Sequence, residues 1–235
     1  MRLLYTPAYC ERGLDESAQG KLAAYGDLIL GSGFNITGIA QPEDIERLHF
    51  LDSLSLLDIE EVAAARTVVD LGSGGGLPAL VLAVALPDVK VRVIESQRKK
   101  CIFIEKAATV LGVVNVEVCC LRAEDYGRTC GREQHDVAVS RAVAALPVVA
   151  EYSLPLLRLG GSMVAMRGAL SAHGRIEALA ALAILGAGEL NEVRLNPFEG
   201  AENRWAYVAR KVRVTPEEYP RRPGVPTKRP LGFRG

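Results

Sequence analysis

An aspartate and a cluster of glycines lie between two apolar segments in the stretch VVDLGSGGGLPALVLAVAL, residues 68–86. Four of the five residues from Gly72 to Gly76 are glycine, and Asp70 stands two positions before them. Because glycine has no Cβ atom, such a turn lets the backbone approach a bound molecule closely. A turn that only joins a strand to a helix rarely needs four glycines, and we therefore predict a ligand site here.

The glycine spacing and the charge of Asp70 distinguish between two nucleotide-type ligands. A dinucleotide site has the pattern G-x-G-x-x-G and binds a pyrophosphate at the N-terminus of the following helix. Here the glycines are Gly72, Gly74 and Gly76, and Leu77 occupies the place of the third dinucleotide glycine. A carboxylate at position 70 would repel a pyrophosphate, but it suits S-adenosylmethionine, which carries an ammonium and a sulfonium and no phosphate. The pattern favours S-adenosylmethionine over NAD.

Glu95 ends VKVRVIE, the second predicted strand. An acidic residue at this place can accept hydrogen bonds from ribose hydroxyls. Both ligands contain ribose, so Glu95 supports a nucleotide-type site without distinguishing between them. An NAD(P)-dependent oxidoreductase remains an alternative interpretation, and so does a small-molecule methyltransferase, which would share the cofactor.

Short apolar segments that alternate with helical patterns must position these residues. The predicted strands are TVVDL, VKVRVIE, VEVCC, HDVAVS and SMVAM, and the predicted helices span 78–86, 97–111, 147–157 and 171–185. Such alternation predicts an α/β fold with a doubly wound, mostly parallel sheet. Two later segments, ELNEVRL and RWAYVARKVRV, predict an antiparallel hairpin at the sheet edge.

These patterns divide the chain into three predicted regions. Residues 1–62 form an N-terminal helical extension, and residues 63–214 form the core that binds S-adenosylmethionine. Residues 215–235 form a basic, Pro/Gly-rich C-terminal tail.

The composition excludes several classes of protein. The chain has 235 residues and a net charge of zero, so no global basic field indicates nucleic-acid binding. Five cysteines without a C-x-x-C pair argue against a disulfide framework or a zinc site and favour a reducing compartment. No apolar run has the length of a signal peptide or a membrane span. We expect a cytoplasmic monomer without a bound metal and without a membrane segment.

Positive charge is nevertheless concentrated locally. From residue 211 to the end there are seven basic and two acidic residues, and a second basic cluster follows Gln97. Clustered cations on a neutral chain are typical of phosphate contacts, although a solvated tail that aids solubility is the alternative. The predicted RNA-binding residues are Arg98, Lys99, Lys100, Arg221, Arg222, Lys228 and Arg229.

Seven landmarks, in order along nearly the whole chain, resemble the rRNA small subunit methyltransferase G family of class I S-adenosylmethionine-dependent methyltransferases. They are FNIT, RLHFLDSL, DLGSGGGLP, ESQRKKCIFIE, RAED, DVAVSRAVA and YPRRPGVPTKRPL. Three features depart from the family pattern: Ala79 replaces a glycine, Phe50 stands inside the second landmark, and the segment before Tyr25 fits poorly. The resemblance implies a class I, Rossmann-like fold.

The resemblance also implies an activity and a set of contacts. The activity is methylation of N7 of a single guanine, the guanine 527 site of the decoding region of 16S rRNA, so the partner is 16S rRNA or the small ribosomal subunit. The implied cofactor contacts are Gly72, Leu77, Glu95, Ser96, Gln97, Ala123, Glu124 and Arg141. Ala123 and Glu124 follow the third strand, where a loop would hold adenine, and Glu124 would accept from its exocyclic amine.

Methylation of guanine N7 needs no general base, because N7 already carries a lone pair and loses no proton. The sequence lacks the N/D-P-P-Y/F turn of enzymes that methylate exocyclic amines. Methylation of cytosine C5 needs a cysteine nucleophile after the fourth strand, whereas Cys130 precedes that strand. His49 and Asp52 are either a catalytic couple or a tie between the N-terminal helices and the cleft. Arg141 is predicted to have a positioning role through the cofactor carboxylate, an acid such as Asp70, or guanine O6, and not to bind N7 itself.

Overall fold

A computed structural model describes residues 1–33, 38–39 and 41–232. The FNIT landmark, residues 34–37, lies outside the described residues. The strands are β1 (Thr67–Leu71), β2 (Lys90–Ile94), β3 (Val116–Cys119), β4 (His135–Arg141), β5 (Leu157–Arg167), β6 (Ala187–Arg194) and β7 (Trp205–Lys211). The helices are α1 (Thr6–Glu11), α2 (Glu16–Leu30), α3 (Pro42–Ile45), α4 (Asp52–Leu54), α5 (Glu60–Ala63), α6 (Ala79–Ala85), α7 (Arg98–Leu111), α8 (Ala123–Arg128), α9 (Leu146–Ser153), α10 (Ala172–Leu185) and α11 (Val225–Lys228).

The strands form one sheet in the order β3-β2-β1-β4-β5-β7-β6. The first five strands are parallel, and β7 is antiparallel to both of its neighbours. This arrangement confirms the predicted mostly parallel sheet and the antiparallel hairpin at its edge. The chain leaves β1 toward β2 and returns to β4 on the other side, so the strand order reverses between β1 and β4. Ligands of such sheets bind at the carboxyl ends of the strands beside this reversal.

Apolar residues on both faces of the central strands explain the layered packing. In β1, Val68 packs into the hydrophobic cluster beneath the N-terminal helices, α6 and α7, whereas Val69 packs into the cluster under α9 and α10. Strands that are covered on both faces read as nearly continuous apolar runs, which is why the sequence identifies them clearly.

The N-terminal helical region packs into the same core as the sheet. Between α3 and α4 the helix widens into a π-helical stretch, Glu46–Leu51, and a 3₁₀ turn, Ser55–Asp58, follows α4. Tyr25 of α2 stacks on Phe50, with ring centroids 5.6 Å apart. The Tyr25 hydroxyl donates to the carbonyl oxygen of Gly75 at 2.6 Å. The region predicted as an extension therefore supports the glycine turn, and Phe50 is part of that support.

The C-terminal segment packs against α8 and α9. Arg132 donates to the carbonyl oxygens of Thr215 and Tyr219, each at 2.7 Å. Arg221 forms a forked ion pair with Glu151, whose side chain is completely buried. Lys211, which the sequence counts among the basic residues of this end, is also fully buried, and its ammonium donates to backbone carbonyls and to a glutamate. The prediction of a simple basic tail therefore misses these internal contacts.

The Glu151–Arg221 pair provides a test of this attachment. We expect Arg221→Ala to lower the free energy of unfolding by roughly 3 kcal/mol, because it leaves a buried carboxylate without its cation. Arg222→Ala removes the same charge from an exposed neighbour and should change stability by less than about 0.5 kcal/mol. Urea denaturation of the two variants measures the difference, and equal effects would show that the pair does not hold the segment.

Candidate functional site

The glycine turn after β1 adopts backbone angles that favour glycine. Gly72, Gly74 and Gly76 have φ angles of +67°, +61° and +97°. A Cβ atom at Gly72 would lie 3.1 Å from Val143 Cγ2, and one at Gly76 would lie 2.8 Å from Leu80 Cδ1. A Cβ atom at Gly74 would meet nothing within 4 Å. The outer glycines are therefore required by packing, whereas Gly74 faces open space that a ligand can use.

Asp70 lies beneath this turn and is completely buried. Its Oδ2 accepts hydrogen bonds from the Ser73 hydroxyl and from the Ala79 N–H, the latter at 3.2 Å. Its Oδ1 has no hydrogen-bond partner among the described residues. Burial raises the pKa of Asp70 to about 6, although the two hydrogen bonds oppose this rise. A buried carboxylate with one unpartnered oxygen suits a nearby cationic ligand group.

Glu95 connects the glycine turn to the end of β2. Its Oε2 accepts from the Gly74 N–H at 3.0 Å, and its Oε1 accepts from the Gln97 N–H at 2.8 Å. Each carboxylate oxygen can accept more than one hydrogen bond, so both keep a free lone pair. The side chain is 5% exposed, and these lone pairs can serve two neighbouring hydroxyl groups.

A cleft of about 180 Å³, here called the turn cleft, lies beside the carboxyl ends of β1, β2 and β3. Five of the residues predicted to contact a cofactor line it: Gly72, Glu95, Ser96, Ala123 and Glu124. The remaining predicted residues do not line this cleft. Gly74 and Gly76 belong to the glycine turn, Asp70 lies in β1, and Gln97 is the residue before α7. Leu77 is buried in the hydrophobic cluster next to α6, and Arg141 lines a different cavity, described below.

Glu124 lies in a helix, whereas the sequence predicts a loop at this position. It belongs to α8, and its Oε1 accepts from the Gly224 N–H at 2.9 Å and from the Tyr152 hydroxyl at 3.3 Å. Tyr152 also lines the turn cleft and lies within 3.1 Å of the Thr227 hydroxyl. Glu124 thus links this cleft to the C-terminal segment, and only its other oxygen is free for the predicted bond to an adenine.

A second cavity of about 370 Å³ lies at the carboxyl ends of β4 and β5, and we call it the arginine cavity. Its lining residues are Ile39, Leu48, His49, Asp52, Arg141, Ala142, Met166, Arg167, Gly168, Leu195, Arg204 and Trp205. Ala142 lines this cavity and the next residue, Val143, lines the turn cleft. The two cavities are therefore neighbours, separated by the segment that follows β4.

Asp52 holds Arg141 in the arginine cavity. Arg141 Nη1 donates to Asp52 Oδ2 at 3.2 Å and to the Leu48 carbonyl oxygen at 3.0 Å. The other oxygen of Asp52 accepts from Arg204 Nε at 3.1 Å. Both Asp52 oxygens are thus bound to arginines, which supports a tie between the N-terminal helices and the sheet over a couple with His49. The acidic side chain that pairs with Arg141 is Asp52, whereas Asp70 is one of the three partners that the sequence leaves open.

Arg167, Arg204 and Trp205 are cavity residues that the sequence analysis does not single out. Their positions in the sequence could have indicated them. Arg167 directly follows the apolar residues of β5, and Arg204 and Trp205 lie at the start of β7. Residues at the carboxyl ends of parallel strands lie at the ligand edge of such a sheet. The antiparallel direction of β7 brings its first residues to the same edge.

The predicted RNA-binding residues fall into two groups. Six are mostly exposed and form no ion pair with a described carboxylate: Arg98, Lys99, Lys100, Arg222, Lys228 and Arg229. Three cations in the first turn of α7 oppose the helix dipole, so helix stability does not explain their presence. The seventh, Arg221, is bound to Glu151 and is not counted with the other six, which are together called the basic surface.

Membrane-spanning helices and clusters of metal-binding side chains are both absent from the described residues. No helix in the described ranges is long and apolar enough to cross a membrane. Within those same ranges, no three His, Cys, Asp or Glu side chains are grouped so that they could hold a metal ion.

The seven-stranded sheet with a ligand cleft at its glycine turn defines a class I methyltransferase fold. Solved structures with this fold include a geranyl diphosphate methyltransferase in complex with SAM, with a TM-score of 0.57, 19% identity, and coverage of 79% of this chain and 95% of that one. A SAM-dependent O-methyltransferase from Thermotoga maritima gives a TM-score of 0.53 at 19% identity, covering 82% of this chain and 72% of that one.

Sequence similarity then identifies the family. The family model described as rRNA small subunit methyltransferase G matches residues 19–196, and the chain belongs to this family. A ribosomal RNA small subunit methyltransferase G from Moorella thermoacetica is 42% identical over 214 residues, which is 89% of each chain. The relative with the same name from Rubrobacter xylanophilus is 44% identical over 201 residues, covering 84% of this chain and 77% of the relative.

The raised pKa of Asp70 makes stability depend on pH. Between about pH 4 and 6 the folded protein binds more protons at this site than the unfolded chain, so the free energy of unfolding falls as pH rises. We expect Asp70→Asn to remove a fall on the order of 2–3 kcal/mol. Asp88→Asn, at an exposed aspartate, should keep it. Denaturant midpoints measured from pH 4 to 7 test this, and an unchanged slope in Asp70→Asn would contradict it.

Proposed function

We propose that this chain transfers a methyl group from S-adenosylmethionine to N7 of one guanine of 16S rRNA, either in the free RNA or in the small ribosomal subunit. The observation that carries the proposal is the pair of neighbouring cavities. Glu95 lines the turn cleft and the buried Asp70 lies beneath the adjoining glycine turn, while the arginine cavity contains three arginines. The printed names of the relatives supply the RNA substrate class, and the resemblance of the landmarks supplies the guanine and its atom.

The residues around the turn cleft fit S-adenosylmethionine. The unpartnered oxygen of Asp70 matches the ammonium group, and the free lone pairs of Glu95 match the two ribose hydroxyls. Ala123 and Tyr152 line the side that remains for the adenine. When bound, the cofactor supplies an electrophilic methyl group on a sulfonium. A pyrophosphate would instead lie close to two carboxylates, which disfavours the alternative NAD(P)-dependent oxidoreductase.

The residues of the arginine cavity need only hold and orient the base. Guanine N7 attacks with its own lone pair, so catalysis depends on alignment and on exclusion of water. Asp52 fixes the guanidinium groups of Arg141 and Arg204 before any substrate arrives, which lowers the cost of ordering them. Arg141 thus acts as a positioning residue that orients the acceptor or the cofactor carboxylate and leaves N7 unblocked.

The basic surface supports an RNA substrate over a small molecule. Its six cations lie near the carboxyl edge of the sheet, where α7 begins and where the C-terminal segment contacts Glu124. Cations at this edge can bind phosphates on either side of a base that enters the arginine cavity. We further propose that the protein acts as a monomer in the cytoplasm.

The reaction can be tested with small ribosomal subunits from cells that lack this modification. Incubation with methyl-labelled S-adenosylmethionine should place the label on N7 of one guanine of 16S rRNA. Strand cleavage specific for 7-methylguanine locates the label. Label in transfer RNA, protein or small metabolites, or on another atom of the base, would overturn the assignment.

The basic surface gives a second test through salt dependence. A variant with Arg222→Ala, Lys228→Ala and Arg229→Ala should bind the subunit RNA more weakly, and the slope of log K against log salt should fall by about 0.7–0.9 for each lost phosphate contact. Affinity for S-adenosylhomocysteine should stay the same.

A matched control for this variant is Arg66→Ala, which removes an exposed cation at the amino end of β1, on the opposite edge of the sheet. It should leave both the RNA affinity and the salt slope unchanged. If the triple variant behaves like this control, the C-terminal cations serve solubility and not RNA binding.

A further inference from the structure

Tyr152 lies between the turn cleft and the C-terminal segment. It belongs to α9 and lines the cleft together with Ala123 and Glu124. Its hydroxyl lies 3.3 Å from Glu124 Oε1 and 3.1 Å from the Thr227 hydroxyl. Burial raises the pKa of Tyr152, so the hydroxyl keeps its proton at physiological pH. One side chain thus connects a wall of the cleft with a residue of α11.

The chemistry of the three groups fixes the direction of these hydrogen bonds. A phenol has one proton and a carboxylate can only accept, so Tyr152 donates to Glu124. Thr227 then donates its own proton to the Tyr152 oxygen. The Gly224 N–H, directly before α11, donates to the same Oε1 at 2.9 Å. Two donors therefore hold one oxygen of Glu124, and Thr227 fixes one of these donors.

The other oxygen of Glu124 stays available to a ligand. Oε2 accepts no hydrogen bond from the residues that the structure describes, and it is not completely buried. The side chain as a whole is only 3% exposed and lines the turn cleft. Two donors on Oε1 restrict the rotation of the carboxylate, so Oε2 is held in one place at the edge of the cleft.

We infer that Tyr152 is a positioning residue, which orients Glu124 so that Oε2 accepts from the exocyclic amine of the adenine of S-adenosylmethionine. This inference rests on the proposed function and deepens it. Glu124 contacts the adenine, and Tyr152 acts through Glu124. Because Gly224 and Thr227 take part, the C-terminal segment completes the cofactor site in addition to carrying half of the basic surface.

The test compares two ligands by calorimetry, S-adenosylhomocysteine and S-inosylhomocysteine, which has a carbonyl oxygen in place of the adenine amine. That oxygen would face Glu124 Oε2, acceptor against acceptor, so the unmodified protein should prefer S-adenosylhomocysteine by about 10-fold or more. Tyr152→Phe keeps the ring and loses the hydroxyl. It should weaken S-adenosylhomocysteine binding by about 3- to 10-fold, because Glu124 must then lose rotamer freedom when the ligand binds. The preference for the adenine ligand should fall by a similar factor.

Two further comparisons separate positioning from packing. In a Glu124→Ala background, Tyr152→Phe should reduce the preference no further, because no carboxylate is left to orient. Thr227→Val has the shape of threonine without its hydroxyl and should reproduce part of the loss. Thr227→Ser, which keeps the hydroxyl, should retain the preference.

Tyr5→Phe is the matched control. It removes a tyrosine-to-glutamate hydrogen bond of the same length, 3.3 Å, between Tyr5 and Glu43 in the N-terminal helical region. Neither the affinity for S-adenosylhomocysteine nor the preference between the two ligands should change in this variant.

Three outcomes would overturn the inference. The first is an unchanged ligand preference in Tyr152→Phe. The second is an equal loss in the presence and absence of Glu124, which would assign Tyr152 a packing role. The third is equal preference in Thr227→Val and Thr227→Ser, and this pair decides if Tyr152→Phe does not fold. Failure of the proposed function looks different, because the unmodified protein would then bind neither ligand and would label no guanine.

Discussion

The geometry of the site depends on a backbone turn with left-handed conformations, which two buried carboxylates hold in place. Asp70 binds the turn from below, and Glu95 binds the Gly74 N–H from the neighbouring strand. Each carboxylate accepts hydrogen bonds from the turn and has further lone pairs without a partner among the described residues. The same carboxylates therefore support the backbone and set the electrostatic potential at the turn. A positively charged ligand relieves the unfavourable burial of Asp70, whereas a phosphate would increase it.

The arginine cavity follows a different electrostatic principle. Three guanidinium groups would repel one another in an apolar space, and a single carboxylate, Asp52, separates two of them by binding each with one oxygen. That carboxylate comes from the N-terminal helices, and so does Tyr25, which binds the glycine turn. The helical region therefore lines the arginine cavity and supports the glycine turn that borders the turn cleft.

The sequence was sufficient for the sheet and for the glycine turn because both depend on local patterns. Alternating apolar segments identified the seven strands, and the spacing of the glycines identified the ligand edge. It was insufficient for contacts between distant residues. Arg221 pairs with Glu151, which lies 70 residues earlier, and no local feature marks that pairing. Lys211 was counted with the basic residues of the C-terminal end because a charged residue in the sequence gives no sign of burial. Arg167 and Arg204 became visible only when β5 and β7 were placed side by side.

The Asp52–Arg204 hydrogen bond joins residues that are 152 positions apart, and the Asp52–Arg141 bond spans 89. The entropic cost of closing a loop grows only slowly with its length, so these bonds cost little more to close than the pairing of β1 with β4. One carboxylate thus connects three distant stretches of the chain at the wall of the arginine cavity.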